Sequence, residues 1–192
     1  NFILENHIPS QAGLGGGSSD ATYTLRLLNK LCQLNLNSAT LHQYAVRLGA
    51  DCAFFVTATP AFATGIGDIL EPMNAECAHL HGMYLLIVKP TVAISTAQAF
   101  AFVKPQPTLI KCKDIVAQPV NSEWRNHLTN NFEVSAFKLH PEMHTIKEQL
   151  YNMGALYAQM SGSGSAFFGI FNTPPTLTAN HFNGMFTYLC QL

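Results

Sequence analysis

Apolar positions along this chain first recur at helical spacing. Over residues 21–34, Leu25, Leu28, Leu31, Cys32 and Leu34 fall on one helical face, while Arg26, Asn29, Lys30 and Gln33 fall elsewhere. Ser38 caps a second predicted helix, with Leu41, Tyr44, Ala45 and Leu48 as its stripe and Gly49 at its end. Phe2, Ile3, Leu4 and Ile8 predict a short strand ahead of the first helix. Residues 52–56 read as a buried apolar segment, and residues 60–67 as strand plus turn. Residues 72–82 are polar and irregular, which predicts a boundary between an N-terminal unit over 1–72 and a C-terminal unit over 83–192.

The second unit opens with L-L-I-V inside a predicted strand over 83–88, closed by Lys89 and Pro90. Ser95 or Thr96 caps a helix reaching about Val103, and residues 104–120 read as loop with a short helical piece. Residues 124–138 look helical, with Phe132, Val134 and Phe137 apolar. Pro141 suits a first helical position, and Met143, Ile146, Leu150 and Met153 form the stripe before Gly154 stops it. Residues 156–160 and 166–171 read as a hairpin, and the tail over 176–192 as one more helix. Helices among short strands and hairpins predict an α+β protein in two layers.

Composition narrows the class. The 192 residues are 48% hydrophobic and 11% charged, with a net charge of −1, against a usual charged share of about 25%. A chain of that length buries a substantial core, and without a Lys/Arg cluster it carries no nucleic-acid footprint. No apolar run approaches the roughly 20 residues that span a bilayer, and no signal peptide is visible. Five widely spaced cysteines without a C-x-x-C pair predict a reduced, cytoplasmic protein.

The sharpest chemistry lies in the stretch P-S-Q-A-G-L-G-G-G-S-S-D-A over residues 9–21. Gly13, Gly15, Gly16 and Gly17 run into Ser18, Ser19 and Asp20, and a helix follows. Unpaired amides at a helix start make an anion site, and glycine lets a ligand approach the main chain closely. The physical reading is a phosphate cradle; a flexible turn is the plain alternative. Neither G-x-G-x-x-G nor the P-loop NTPase pattern fits, because Ser18 stands where each needs glycine. Ser18 or Ser19 serves equally as helix N-cap or as a phosphate or metal ligand, and Asp20 suits the positive end of the helix.

Asp51 precedes C-A-F-F and is expected against an apolar wall, where burial raises a carboxyl pKa. Such a residue orients an acceptor hydroxyl and takes its proton, or simply caps the next helical turn. The S-G-S-G-S of residues 161–165 is a second small-residue turn and, alone, an ordinary hairpin turn. His140 and His144 do not make H-E-x-x-H, and His79 and His81 lack a third ligand nearby, so no metal ligand is assigned. His7, beside the loop, is left without a role.

These residues together resemble the GHMP kinases (galactose, homoserine, mevalonate and phosphomevalonate kinases). The glycine loop is followed in order by L-G-A-D-C-A-F-F over 48–55, P-A-F-A-T-G-I-G-D over 60–68 and M-S-G-S-G-S over 160–165. The double-serine loop with G-A-D-x-x-F-F is similar to the branch acting on 4-diphosphocytidyl-2-C-methyl-D-erythritol. The resemblance implies a partial ribosomal-S5-like domain followed by a ferredoxin-like one, and ATP with Mg²⁺ as cofactors. It implies transfer of the γ-phosphoryl group to that small molecule's 2-hydroxyl, with no nucleic-acid or membrane partner. It also implies Asp51 as catalytic base. Nucleotide binding falls to Pro9, Ser10, Gln11, Ala12, Gly13, Leu14, Gly15, Gly16, Gly17, Ser18, Ser19 and Asp20, with Gly162, Ser163 and Gly164. Gln11 and Asn131 depart from the family pattern, in which a small residue and an N-D-x-E run are usual. The family's strands and lysine ahead of the glycine loop are absent, so a fragment is expected. Two other readings stay open: another GHMP kinase acting on mevalonate, homoserine or a sugar, and a nucleotide-binding remnant without turnover.

Overall fold

The computed structural model of the chain describes residues 3–103 and 110–192. It divides into two compact units, one formed by Gly15–Ala78 and the other by Asn1–Leu14 with His79–Leu192. The chain therefore first passes from one unit to the other inside the glycine-rich loop.

The smaller unit is built on α1 (Gly16–Leu31), α2 (Ser38–Leu48) and a 3-10 helix (Ala50–Val56). Leu41, Ala45, Cys52 and Val56 make its buried cluster, with Ala21, Leu25 and Leu36 packed against them. Of the stripe expected on α1, only Leu25 joins that cluster; Leu28, Leu31 and Leu34 are exposed. The fully buried position on the helix is Thr22, whose hydroxyl donates to the Cys52 carbonyl at 2.9 Å and so enters the interior satisfied. Asn37, not Ser38, caps α2, its Oδ1 accepting from the Thr40 amide at 2.9 Å. A hairpin of β1 (Ala61–Thr64) and β2 (Ile69–Pro72) completes the unit.

The larger unit is organised on an antiparallel sheet in the order β4-β5-β3-β6, from β3 (Tyr84–Lys89), β4 (Tyr157–Met160), β5 (Phe167–Phe171) and β6 (Phe186–Gln191). That order is the ferredoxin-like one. L-L-I-V occupies β3, flanked by β5 with Leu86 opposite Gly169 and by β6 with Leu86 opposite Leu189. Strand alternation sorts side chains between the two faces. Leu86, Val88, Ala158, Met160, Phe167 and Phe171 share a core with α6 (Phe132–Leu139), α7 (Met143–Asn152) and Ala99 of α3 (Thr96–Ala101). Leu85, Tyr157 and Ile170 pack with Ile115 of α4 (Cys112–Val116) and Trp124 of α5 (Ser122–His127). Helices thus cover parts of both faces, one layer more than the two expected.

Four other expectations are corrected. Residues 3–8 form no strand, since a strand needs a neighbour to share its ladder and none of the described residues supplies one; Ile3 is 96% exposed. Phe2 and residues 104–109 lie outside the described residues. The helix expected over 124–138 breaks at residues 128–131, because Asn130 turns its side chain to main-chain partners. Pro141 begins a turn, and α7 proper starts at Met143. The tail makes edge strand β6 rather than a helix: Phe186, Thr187 and Tyr188 are β-formers, and Leu189 packs on the core.

Candidate functional site

In the larger unit, two stretches about 150 positions apart in sequence meet main chain to main chain. Ala12 is buried and its carbonyl accepts from the Ala166 amide at 2.9 Å, while the Ser161 hydroxyl donates to the Gly13 carbonyl at 2.8 Å. Gly13 has φ +71°, and a Cβ there would lie 2.1 Å from the Ser161 carbonyl oxygen. No other residue fits. Of the residues expected to bind nucleotide, Ala12 and Gly13 are thereby joined to the turn carrying Gly162, Ser163 and Gly164.

That turn is clamped by side chains the sequence reading did not single out. Asn130 Nδ2 donates to the carbonyls of Met160 and Gly162, each at 2.8 Å, and its Oδ1 accepts from the Phe132 amide. Glu133 Oε1 accepts from the Met160 amide at 3.0 Å. Lys147 Nζ, 2.8 Å from Glu133 Oε2, also donates to Gln159 Oε1 at 2.9 Å. On the other side, the Ser165 hydroxyl donates to the Val92 carbonyl. The visible signal was N-N-F-E, whose working pair is Asn130 and Glu133; Asn131 is exposed.

In the smaller unit, α1 begins two residues before Ser18. Gly15, at φ +68°, is the N-cap, and its carbonyl receives the first helical bond from the Ser19 amide at 2.8 Å. Ser18 and Ser19 are therefore inside the helix and not its caps, and Asp20 lies beyond the first turn. No side chain caps this helix. The amides of Gly16, Gly17 and Ser18 precede the first helical bond and have no partner within the helix. A Cβ on Gly15 would press on the Phe55 ring at 3.0 Å, whereas Cβ atoms on Gly16 or Gly17 would meet nothing within 4 Å. Packing within the protein thus requires glycine at positions 13 and 15 and leaves 16 and 17 free. A helix start with open donors and no blocking side chains is shaped for an anion.

Asp51 sits in the 3-10 helix that Thr22 ties to α1. Its side chain is exposed rather than set against an apolar wall, because Cys52, Ala53 and Val56 take the interior positions. The G-I-G-D turn lies alongside: a Cβ on Gly67 would stand 3.7 Å from Asp51 Oδ1. Asp68 Oδ1 accepts from the Ile66 amide within that turn. Pro9, Ser10, Gln11 and Leu14 lead into the loop, with Gln11 in the left-handed region at φ 51°.

The histidines form no centre, and no group of three or more metal-ligating side chains occurs among the described residues. His7 is exposed, 3.4 Å from Glu5. His79 and His81 line a cavity of about 510 Å³ with Met83, Val120, Leu156 and Asn172.

Comparison with known proteins completes the description. The family model for the GHMP kinases N terminal domain matches residues 1–59, and that for GHMP kinases C terminal matches residues 111–179. The 4-diphosphocytidyl-2-C-methyl-D-erythritol kinase of Bacteroides fragilis is 46% identical over 192 residues, covering 100% of this chain and 69% of its own length. That of Bacteroides thetaiotaomicron is 49% identical over 174 residues, covering 91% of this chain and 62% of its own. A crystal structure of 4-(cytidine 5'-diphospho)-2C-methyl-D-erythritol kinase superposes with a TM-score of 0.69 at 32% identity, covering 89% of this chain and 61% of that one. The chain thus spans 61–69% of the length of these proteins.

Proposed function

The chain belongs to the GHMP kinase family, and we propose that it serves ATP-dependent phosphorylation of the 2-hydroxyl of 4-diphosphocytidyl-2-C-methyl-D-erythritol, a step of isoprenoid precursor synthesis. Support comes from relatives of that name at 46% and 49% identity. The single structural observation behind it is the start of α1, where glycines 16 and 17 have open space and the first amides are left to a ligand.

The amides of Gly16, Gly17 and Ser18 would hold phosphate oxygens, with the helix dipole offsetting their charge. The turn bearing Gly162, Ser163 and Gly164 is assigned to nucleotide binding through the family motif it resembles. Asp51 is assigned the acceptor: its carboxylate orients the 2-hydroxyl and takes its proton as the oxygen attacks the γ-phosphorus and ADP leaves. Being exposed, Asp51 is open to a substrate. Phosphoryl transfer asks a protein mainly for positioning and charge stabilisation, which a rigid amide cradle and one carboxylate supply. Mg²⁺ accompanies the ATP in this reading. No helix among the described residues is long and apolar enough to cross a membrane, and the cytoplasm is the proposed compartment.

Single-turnover transfer from γ-labelled ATP to this acceptor tests the reading. In the natural gene product that carries this chain, Asp51→Asn is expected to slow transfer at least 100-fold with ATP affinity unchanged. An equal rate in the variant removes Asp51 from the mechanism. The competing outcome is nucleotide binding without turnover. ATP calorimetry beside the transfer assay separates the two.

A further inference from the structure

Lys89, the last residue of β3, is a lysine where the strand pattern calls for an apolar side chain. It is only 6% exposed, between buried Val88 and buried Pro90. Taking an ammonium out of water is costly unless hydrogen bonds compensate. Here the compensation is main chain: Nζ donates to the Pro90 carbonyl at 2.7 Å and to the Val92 carbonyl at 2.8 Å. Burial lowers the Lys89 pKa from the ordinary lysine value.

The Val92 carbonyl is also the acceptor of the Ser165 hydroxyl. One oxygen thus receives the Lys89 ammonium from the end of β3 and the Ser165 hydroxyl from the second glycine turn, which uses both of its lone pairs. The same loop reaches that turn again through Ile94, whose Cδ1 would lie 3.5 Å from a Cβ on Gly164. A charge is therefore buried to fix one carbonyl, and that carbonyl carries the turn.

We propose that Lys89 is a positioning residue for the glycine turn over residues 161–165, holding the Val92 carbonyl in the one place where the Ser165 hydroxyl meets it. The tie stands on geometry; its consequence for nucleotide rests on the kinase reading above. Lys89 directs its ammonium to main-chain carbonyls. It acts through Val92 and Ser165 on the main chain of Gly162, Ser163 and Gly164. Asn130 and Glu133 grip the turn at its other end, so loss of Lys89 loosens one side and leaves the other attached.

Hydrogen exchange on the whole chain tests this without any ligand. In Lys89→Met, the segment over 161–167 is expected to exchange about tenfold faster, with β3 over 84–88 unchanged. Ser165→Ala gives the same local change, and the double variant adds nothing further, because both act through one oxygen. Ser165→Ala, which removes the other donor to the same oxygen, carries the test if Lys89→Met does not fold. Calorimetry with ATP is expected to show about tenfold weaker binding in Lys89→Met and no further loss in the double variant. Unchanged exchange over 161–167, exchange rising equally along β3 and β5, or effects that multiply in the double variant would each overturn the proposal. Failure of the unsubstituted chain to bind ATP counts against the kinase reading, and hydrogen exchange then decides on Lys89 alone.

Discussion

The two glycine-rich turns look alike as sequence and are built in opposite ways. The turn over 161–165 is gripped on every side: Asn130 and Glu133 hold one end, Ser165 reaches Val92, and Ser161 reaches Gly13. The start of α1 has none of this, only a left-handed Gly15 resting on Phe55 and amides that nothing within the helix takes up. One turn is fixed by its own protein, and the other is left unfinished. Donors meant for a ligand must stay unpaired until it arrives, whereas the groups around them must not move.

The contrast is broken most directly at Gly13. Gly13→Ala forces a Cβ into the Ser161 carbonyl at positive φ, and is expected to cost about 3–5 kcal/mol in chemical denaturation. A loss below about 1 kcal/mol would show that the two stretches are not locked. Next comes the buttress. Lys147→Met leaves the largely buried Glu133 carboxylate without its cation and should cost about 3 kcal/mol by the same measurement.

The alkaline limb gives a smaller effect. Tyr157 donates to the Leu128 carbonyl at 2.7 Å, and burial raises its pKa from the ordinary value of 10.0. The folded state then holds a proton that the unfolded chain releases. Stability from this group is complete below about pH 10 and falls above it, by up to about 1.4 kcal/mol per pH unit. Tyr157→Phe should flatten that decline in denaturation midpoints followed from pH 9 to 11.

The smallest change in stability sharpens the comparison most. Gly16→Ala replaces a helical glycine that has open space around it, so the fold should gain up to about 1 kcal/mol. On the proposed phosphate cradle, ATP binding should weaken about tenfold, because the new methyl would stand in the ligand's approach. Stability and binding moving in the same direction would mean that glycine is there for the fold.

Much of this was legible in the sequence. The motifs at 9–21, 48–55, 60–68 and 160–165 marked the turns, and L-L-I-V marked the central strand. The errors have physical causes. Serine caps helices well, yet Gly15 took the N-cap because its left-handed backbone turns the chain into the helix two residues earlier. Asp51 looked buried because its neighbours are apolar, but a 3-10 turn sends successive side chains to different sides. The break in the helix over 124–138 depends on Asn130 finding carbonyls 30 and 32 positions away. No local pattern carries that information. The edge strand at the tail depends likewise on β3 being present to pair with it.

Cys52 adjoins Asp51 and is buried at the seam where Thr22 fastens α1, while Cys32 and Cys112 are exposed. An alkylating reagent would label those two thiols at once and reach Cys52 only when the seam parts. The rate of that slow modification is read by mass on the Cys52 peptide, because half-buried Cys77 and Cys190 also react. It is thus a clock for breathing around the proposed base.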